Sequence, residues 1–323
     1  FVIAEIGNNH NGDIKLAKKL VDLAIESGAD CIKFQLRDLG SLYKNNGSID
    51  DNTADLGAQY VLDLLSRFQL KNEELLEVFD YCKAKGGLPL CTPWDLNSLN
   101  ILEDYGMSAY KVSSADLTNS ELLEALAKTG KPLICSTGMS TEFEIKRAIE
   151  FFHDTQTPFI LLHCNSTYPT PYRDVNLRYM KRLKELSGNL VGYSGHERGF
   201  ITPVIAVGLG AKIIEKHFTI DKDMEGNDHN VSLLPGEFAD MVKQIRLTEE
   251  VLGNDRVRTI TQGESINREV MAKSLVTNQN IKKGNIITRE MIEVKSPGQG
   301  LQPYLIDKLL GIKAKRDFLS GDY

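Results

Sequence analysis

The 323-residue sequence has no excess of basic residues: 38 lysines and arginines face 44 aspartates and glutamates, for a formal charge of −6 and a pI near 5.6. Without net positive charge to neutralise a phosphate backbone, a general nucleic-acid binder is excluded, and any lysine that meets an anion does so locally. The five cysteines (Cys31, Cys82, Cys91, Cys135 and Cys164) form no C-x-x-C pair. Four sit in apolar strand-like runs and read as buried free thiols, a usage that fits a reducing cytoplasm. No stretch is long and apolar enough to span a bilayer or to serve as a secretion signal, so a cytoplasmic protein without membrane contact is expected. What is present is ordinary globular material, 41% apolar and 25% charged, enough for a sizeable core in one large and one small domain.

Short β-branched or apolar runs alternate with longer amphipathic stretches, the pattern of βα units around a parallel sheet. Strands are predicted at Phe1–Gly7, Ala29–Leu36, Gly87–Thr92, Ala109–Ser114, Pro132–Gly138, Phe159–Asn165, Leu190–His196 and Ala211–Thr219. Helices are predicted at Asp13–Ser27, Asn72–Lys85, Asp95–Tyr105, Asn119–Thr129, Thr141–His153, Leu177–Leu186, Phe200–Leu209 and Pro235–Leu252. Eight such units point to a closed barrel. Some boundaries are explicit: Asn119 reads as an N-cap, Gly130 as the glycine that ends the same helix, and Pro132 as the bar to its continuation. Asp38–Gln69 is inserted after the second strand, at the catalytic end of a barrel, where part of a lid is expected. Residues 254–271 read as a polar connector, and Ala272–Tyr323 as a small β-rich domain punctuated by Lys283-Gly284-Asn285 and Pro297-Gly298. Phe1 is already strand-like and the last residues read as a turn, so further chain is expected on both sides.

Two histidines close apolar runs: His196 after Gly192-Tyr193-Ser194-Gly195, and His217 after Ile213-Ile214-Glu215-Lys216. Imidazoles at the ends of adjacent parallel strands point into a barrel mouth, placed to share a divalent cation that keeps positions open for water and substrate. Glu5, Lys33, Gln35, Thr92, Lys111, Ser114, Ser136, Tyr168, Ser194 and Glu215 also fall near strand ends. Period-two alternation puts Cys31, Lys33 and Gln35 on one strand face, and likewise Ile213, Glu215 and His217. Lysines deep in apolar strands need an anion. Either a phosphate group sits among Lys33, Lys111 and the hydroxyls of Ser114, Ser136 and Ser194, or the lysines pair structurally with Glu5 or Glu215. Glu5, between apolar neighbours, is expected to have a raised pKa suited to proton transfer, with a salt bridge to Lys33 as the alternative. His163 reads as strand packing, His153 as a surface residue, and His10 and His229 as loop residues within reach of a substrate. The loop Met224–Asn230 is rich in groups that hold sugar hydroxyls.

The stretches Ala4-Glu5-Ile6-Gly7-Asn8-Asn9-His10-Asn11-Gly12, Ile32-Lys33-Phe34-Gln35, Tyr110-Lys111-Val112-Ser113-Ser114, Leu133-Ile134-Cys135-Ser136-Thr137-Gly138-Met139, Tyr168-Pro169-Thr170-Pro171 and Glu215-Lys216-His217-Phe218-Thr219 together resemble the sialic acid synthases. Motifs at strand end after strand end are far more specific than one fingerprint. The C-terminal stretch, with Lys282-Lys283-Gly284 and Pro297-Gly298-Gln299-Gly300, resembles that family's antifreeze-like (SAF, β-clip) domain. The resemblance implies an α/β fold: a (β/α)8 TIM barrel over 1–253, a linker over 254–271 and a SAF domain over 272–323.

The implied reaction condenses phosphoenolpyruvate with an open-chain acylated amino sugar, N-acetylmannosamine first among them, to give N-acetylneuraminate and phosphate. The implied ion is manganese, with magnesium or cobalt as alternatives, held by His196 and His217. Lys33, Thr92, Lys111, Ser114, Ser136, Ser166 and Ser194 would surround phosphoenolpyruvate; Gln35, Asp116, Tyr168 and Asp228 would face the sugar; Glu5 would handle protons. A domain-swapped homodimer is implied. Three positions depart from the family pattern. Lys295-Ser296-Pro297-Gly298 lacks the arginine with which relatives reach a partner's acyl-sugar site, Asp116 stands where some relatives carry Glu, and Gly195 where many carry Asp. The rival readings are a legionaminate- or pseudaminate-type synthase acting on a diacetamido hexose, and a barrel that binds sugar and phosphoenolpyruvate without turnover.

Overall fold

The computed structural model describes residues 1–42 and 63–323, which fall into two compact units, Phe1–Gly253 and Asn254–Tyr323. In the first, β1 (Val2–Gly7), β2 (Cys31–Leu36), β3 (Pro89–Pro93), β4 (Tyr110–Val112), β5 (Leu133–Ser136), β6 (Phe159–Cys164), β7 (Val191–Gly195) and β8 (Ile214–His217) form a closed barrel in sequence order. All neighbours are parallel, and β8 closes the ring on β1 with Glu5 beside His217. A helix follows each strand: α1 (Ile14–Glu26), α2 (Asn72–Ala84), α3 (Leu96–Tyr105), α4 (Ser120–Lys128), α5 (Glu142–Asp154), α6 (Tyr179–Ser187), α7 (Ile201–Gly208) and α8 (Pro235–Leu252).

Local chemistry sets these boundaries. The Asp13 carboxylate caps α1 by accepting from Lys15 and Leu16, Asn119 caps α4 through Leu122, and Thr141 with Glu144 makes a reciprocal box at the start of α5. Gly130 follows α4 at φ +67°, the left-handed turn that glycine adopts without cost.

Strand alternation then divides the side chains. Val2, Ala4 and Ile6 face outward into the core under the helices, whereas Ile3, Cys31, Leu90, Ile134 and Leu162 form a separate apolar cluster inside the ring. Two residues further along each strand the inward positions are Glu5, Lys33, Thr92, Ser136 and Cys164. A dry plug therefore lies under a polar layer, at the carboxyl end where barrel sites are built.

Some boundaries differ from expectation. β4 stops at Val112, and Ser114–Asp116 form a 3₁₀ turn instead of ending the strand. α6 starts at Tyr179 because Asn176 takes the left-handed conformation after a short turn at Tyr172–Val175. Of the insertion, Leu39–Leu42 make one helical turn and 63–67 are helical; the lid expectation for 43–62 lies outside the described residues.

In the second unit, α9 (Gln262–Met271) occupies part of the expected connector. A Thr261–Glu264 capping box starts it, a signal hidden by the polarity of the stretch. β9 (Ser274–Thr277) and β10 (Ile292–Lys295) pair antiparallel, and isolated bridges join Ile281 to Phe318 and Ile286 to Lys313. Among the described residues no helix is long and apolar enough to cross a membrane.

Candidate active site

The polar layer opens into a cavity of about 310 Å³ at the carboxyl ends of the strands. Its lining includes Glu5, Lys33, Gln35, Thr92, Lys111, Ser114, Ser136, Ser166, Tyr168, Ser194, His196, His217 and Asp228. Asp116 is the expected site residue that the lining omits. Its carboxylate accepts from Ser113 Oγ at 2.6 Å and Asn119 Nδ2 at 3.2 Å, so it braces the 3₁₀ turn instead of facing the cavity.

At the bottom sit two lysines in different circumstances. Lys33 Nζ lies 3.1 Å from Glu5 Oε2 and 3.4 Å from Glu215 Oε1, with all three side chains buried. Lys111 Nζ instead donates to Ser136 Oγ at 2.7 Å and to the Val112 carbonyl at 2.8 Å, and among the described residues no carboxylate lies within ion-pair distance of it. The structural pairing weighed from sequence thus holds for Lys33, and among the described residues it does not extend to Lys111. Burial lowers the Lys111 pKa, Glu215 opposing.

The two carboxylates are pushed apart. Burial raises the Glu5 pKa, and the charge of Glu215 adds to this while Lys33 opposes it. Glu215 is as deeply buried, yet Lys111 and Lys33, with a 3.0 Å hydrogen bond from Ser194, bring it down to about 2. One carboxyl is therefore fixed as an anion and its neighbour is made easy to protonate, the division that acid–base work requires. Gln35 Nε2 orients Glu5 by donating to Oε1 at 2.5 Å.

Above them, the His196 and His217 rings lie 5.4 Å apart, with Tyr168 stacked 4.0 Å from His196. His196 Nδ1 is 2.7 Å from the Asn165 carbonyl. A carbonyl only accepts, so Nδ1 carries a proton, and in the neutral ring the lone pair is on Nε2. Burial lowers the His196 pKa, but Cys164 beside the ring and the Asn165 carbonyl more than offset this and raise it. Burial lowers the His217 pKa to about 4, which keeps this ring neutral. Its Nδ1 is buried without a hydrogen-bond partner and 3.8 Å from Asp228. Among the described residues no group of three or more His, Cys, Asp and Glu side chains is arranged to hold a metal.

The hydroxyl arc depends on one glycine. A Cβ on Gly138 would lie 2.3 Å from Ser166 Oγ and 2.8 Å from Ser114 Oγ, and Gly138 N donates to Ser114 Oγ at 3.1 Å. The missing side chain lets both hydroxyls close on the cavity.

The remaining histidines have structural work. His163 bonds the Val175 carbonyl at 2.6 Å behind β6. His153 bonds the Ser187 carbonyl. His10 accepts from Gly12 N, and His229 bridges Thr219 and Asn11, tying down the loop that carries Asp228. Neither loop histidine lines the cavity, in contrast to expectation. Sequence reasoning in turn missed Arg37, Trp94, Phe68, Leu64 and Cys164 as lining residues. The Arg37 guanidinium stacks 4.1 Å over Trp94. Both residues lie at strand ends, where alternation fades and only the three-dimensional turn decides direction.

Residues 20–257 match the NeuB family and residues 272–323 the SAF domain. The chain is 36% identical over 324 residues to the N,N'-diacetyllegionaminic acid synthase of Campylobacter jejuni, covering 98% of this chain and 96% of that protein. It is 35% identical to a pseudaminic acid synthase of that species, covering 100% and 94%, and 34% identical to the human N-acetylneuraminate-9-phosphate synthase, covering 97% and 88%. Among solved structures, the N-acetylneuraminic acid synthetase of Leptospira borgpetersenii superposes with a TM-score of 0.75 at 34% identity, covering 83% of this chain and 89% of that one.

Proposed function

This chain belongs to the NeuB family, and on that premise we propose that the barrel mouth condenses phosphoenolpyruvate with an open-chain N-acylated amino sugar to give a nonulosonic acid and phosphate. The observation that carries the reading is Lys111: a buried cation whose near partners are Ser136 and a carbonyl, facing a cavity lined by further hydroxyls. A phosphate or carboxylate there completes what the fold leaves open. N-acetylmannosamine is the sugar proposed first; the legionaminic and pseudaminic acid synthases among the relatives keep a diacetamido hexose as the second reading.

Lys111, Ser114, Ser136, Ser166 and Ser194 hold the anionic groups of phosphoenolpyruvate with the enol carbon exposed toward the sugar. Tyr168, Gln35 and Asp228 form the upper wall that aligns the open-chain sugar. The enol carbon bonds to the aldehyde carbon as the C=O π bond opens and its oxygen takes up a proton. Water adds at the phosphate-bearing carbon, giving one proton up, and the hemiketal phosphate collapses to the keto group as the carbon–oxygen bond breaks and its hydroxyl proton leaves with phosphate. Glu5, oriented by Gln35, takes the proton of that water.

His196 and His217 fit a divalent cation, manganese first, with magnesium or cobalt as alternatives. Asn165 holds Nδ1 of His196, so that ring offers Nε2 once deprotonated, and burial keeps the His217 ring neutral. Bound there, the ion supplies Lewis acidity to the sugar aldehyde.

The test is phosphate release from phosphoenolpyruvate with manganese and a panel of N-acetylmannosamine and diacetamido hexoses, with and without chelator. Release with one sugar names the substrate. No release with any sugar sinks the synthase reading, and chelator-insensitive release sinks the metal. A smaller effect is expected at Gly138: G138A displaces the Ser114 and Ser166 hydroxyls and weakens phosphoenolpyruvate binding about tenfold, the worth of one or two hydrogen bonds. Calorimetric titration checks it, and unchanged affinity would show that these hydroxyls do not touch the ligand.

A further inference from the structure

We propose that the buried Lys216–Glu197 pair is a clamp that sets the spacing of the His196 and His217 imidazoles, making both members positioning residues for the metal site; this rests on the two-imidazole reading above. Glu197 directly follows His196, and Lys216 directly precedes His217. Because Glu215 and His217 face the cavity, Lys216 points out of the back of β8, where it is fully buried. Its Nζ lies 3.0 Å from Glu197 Oε1 and also donates to the Glu197 main-chain carbonyl. One side chain thus ties the residue before one imidazole to both the backbone and the side chain of the residue after the other.

The geometry around the pair is built for this contact. Gly195 is the β7 residue in register with Lys216, and a Cβ there would lie 2.6 Å from Glu197 Oε2. Gly195 therefore leaves room for a carboxylate that arrives from two residues later. Tyr193 donates to the other Glu197 oxygen at 2.6 Å, so the carboxylate cannot swing.

The two imidazoles are held unequally without it. His196 is fixed through Asn165 and through its own carbonyl, which accepts from Thr170 N at 3.1 Å. The His217 carbonyl likewise accepts from Leu233 N at 2.8 Å, but its ring has no hydrogen bond at Nδ1, so the placement of that ring rests on the β8 backbone, to which Lys216 adds a side-chain tie. A fully buried ion pair is seldom worth more than apolar packing of the same volume. Its directional bonds here span the two strand ends that must stay in register for two ligands to meet one ion.

The test compares wild type, K216R and the double variant K216M/E197Q, which leaves no unpaired buried charge. Manganese affinity is read from the electron spin resonance of free ion, phosphoenolpyruvate affinity by calorimetry in chelator, and folding by circular dichroism melts. The expected result is manganese binding weakened about 10- to 100-fold in the double variant, the range for loss of a group that orients a ligand. Phosphoenolpyruvate binding should stay unchanged, and K216R should restore manganese affinity. A double variant that folds and binds manganese like wild type overturns the clamp. Parallel loss of phosphoenolpyruvate affinity reduces the pair to general structural support and overturns it as well. A wild type that binds no manganese overturns the metal reading and the clamp together.

Discussion

Replacing Lys33 by Met should lower the stability of the barrel by about 3–5 kcal/mol and abolish condensation, because it strands two buried carboxylates at once. Lys33 contacts Glu5 and Glu215 at 3.1 and 3.4 Å, and among the described residues neither carboxylate has another cation within ion-pair distance, although the charge of Lys111 also acts on Glu215. Domains are stable by only about 5–15 kcal/mol, so the melting temperature should drop on the order of 10 °C. The loss is electrostatic and not a packing defect, since Met fills most of the volume. K33M/E215Q, with one charge fewer to strand, should therefore regain part of the melting temperature while remaining inactive. Melts of the three proteins check this, and a K33M melt that matches wild type would show that the cluster does not couple to folding.

The second large effect is expected at Glu5. Glu5→Gln keeps an oxygen to accept from Gln35 but removes the base, and turnover should fall about 10²- to 10⁴-fold, the usual share of a positioned general base. Phosphoenolpyruvate affinity should change little, because Lys111 and the hydroxyls remain. The pH dependence gives a second handle. Burial and Glu215 raise the Glu5 pKa, so the active, ionised form disappears as pH falls through a value above the ordinary glutamate pKa of about 4.3. The wild-type acid limb should lie there, and E5Q should lose it. The linked stability has the opposite sense: ionising a carboxyl whose folded pKa is raised costs stability as pH climbs from the unfolded value through the folded one. E5Q should be flatter than wild type in that window. Unchanged turnover, or an acid limb that persists in E5Q, would remove Glu5 from proton handling.

Much of this site was legible because a parallel strand repeats every two residues. Once Ile3, Cys31 and Leu90 are placed inside the ring, Glu5, Lys33 and Thr92 must follow them inward, and the eight units could be counted from the succession of apolar runs and amphipathic stretches. What alternation does not encode was harder to read. Asp116 lies past the end of β4, and a local bond to Ser113 turned it from the cavity. Cys164 read as one more buried thiol, although its strand face brings it to the lining. Lys216 and Glu197 stand next to two candidate ligands and carry charge, yet their contact depends on the register of β7 against β8, which only the folded chain supplies. In the second unit, α9 was concealed by the overall polarity of its stretch, although the Thr261–Glu264 box caps it.

The plug of Ile3, Cys31, Leu90, Ile134 and Leu162 lies beneath the cavity among the described residues, so access is from the carboxyl ends of the strands. On the proposed assignment, phosphoenolpyruvate lies deep against Lys111 and the sugar lies above it. The two must then enter in a fixed sequence: a sugar that arrives first blocks its own co-substrate. On the same assignment, departure would be ordered too, with the nonulosonic acid leaving ahead of phosphate, and excess sugar would inhibit the reaction it feeds.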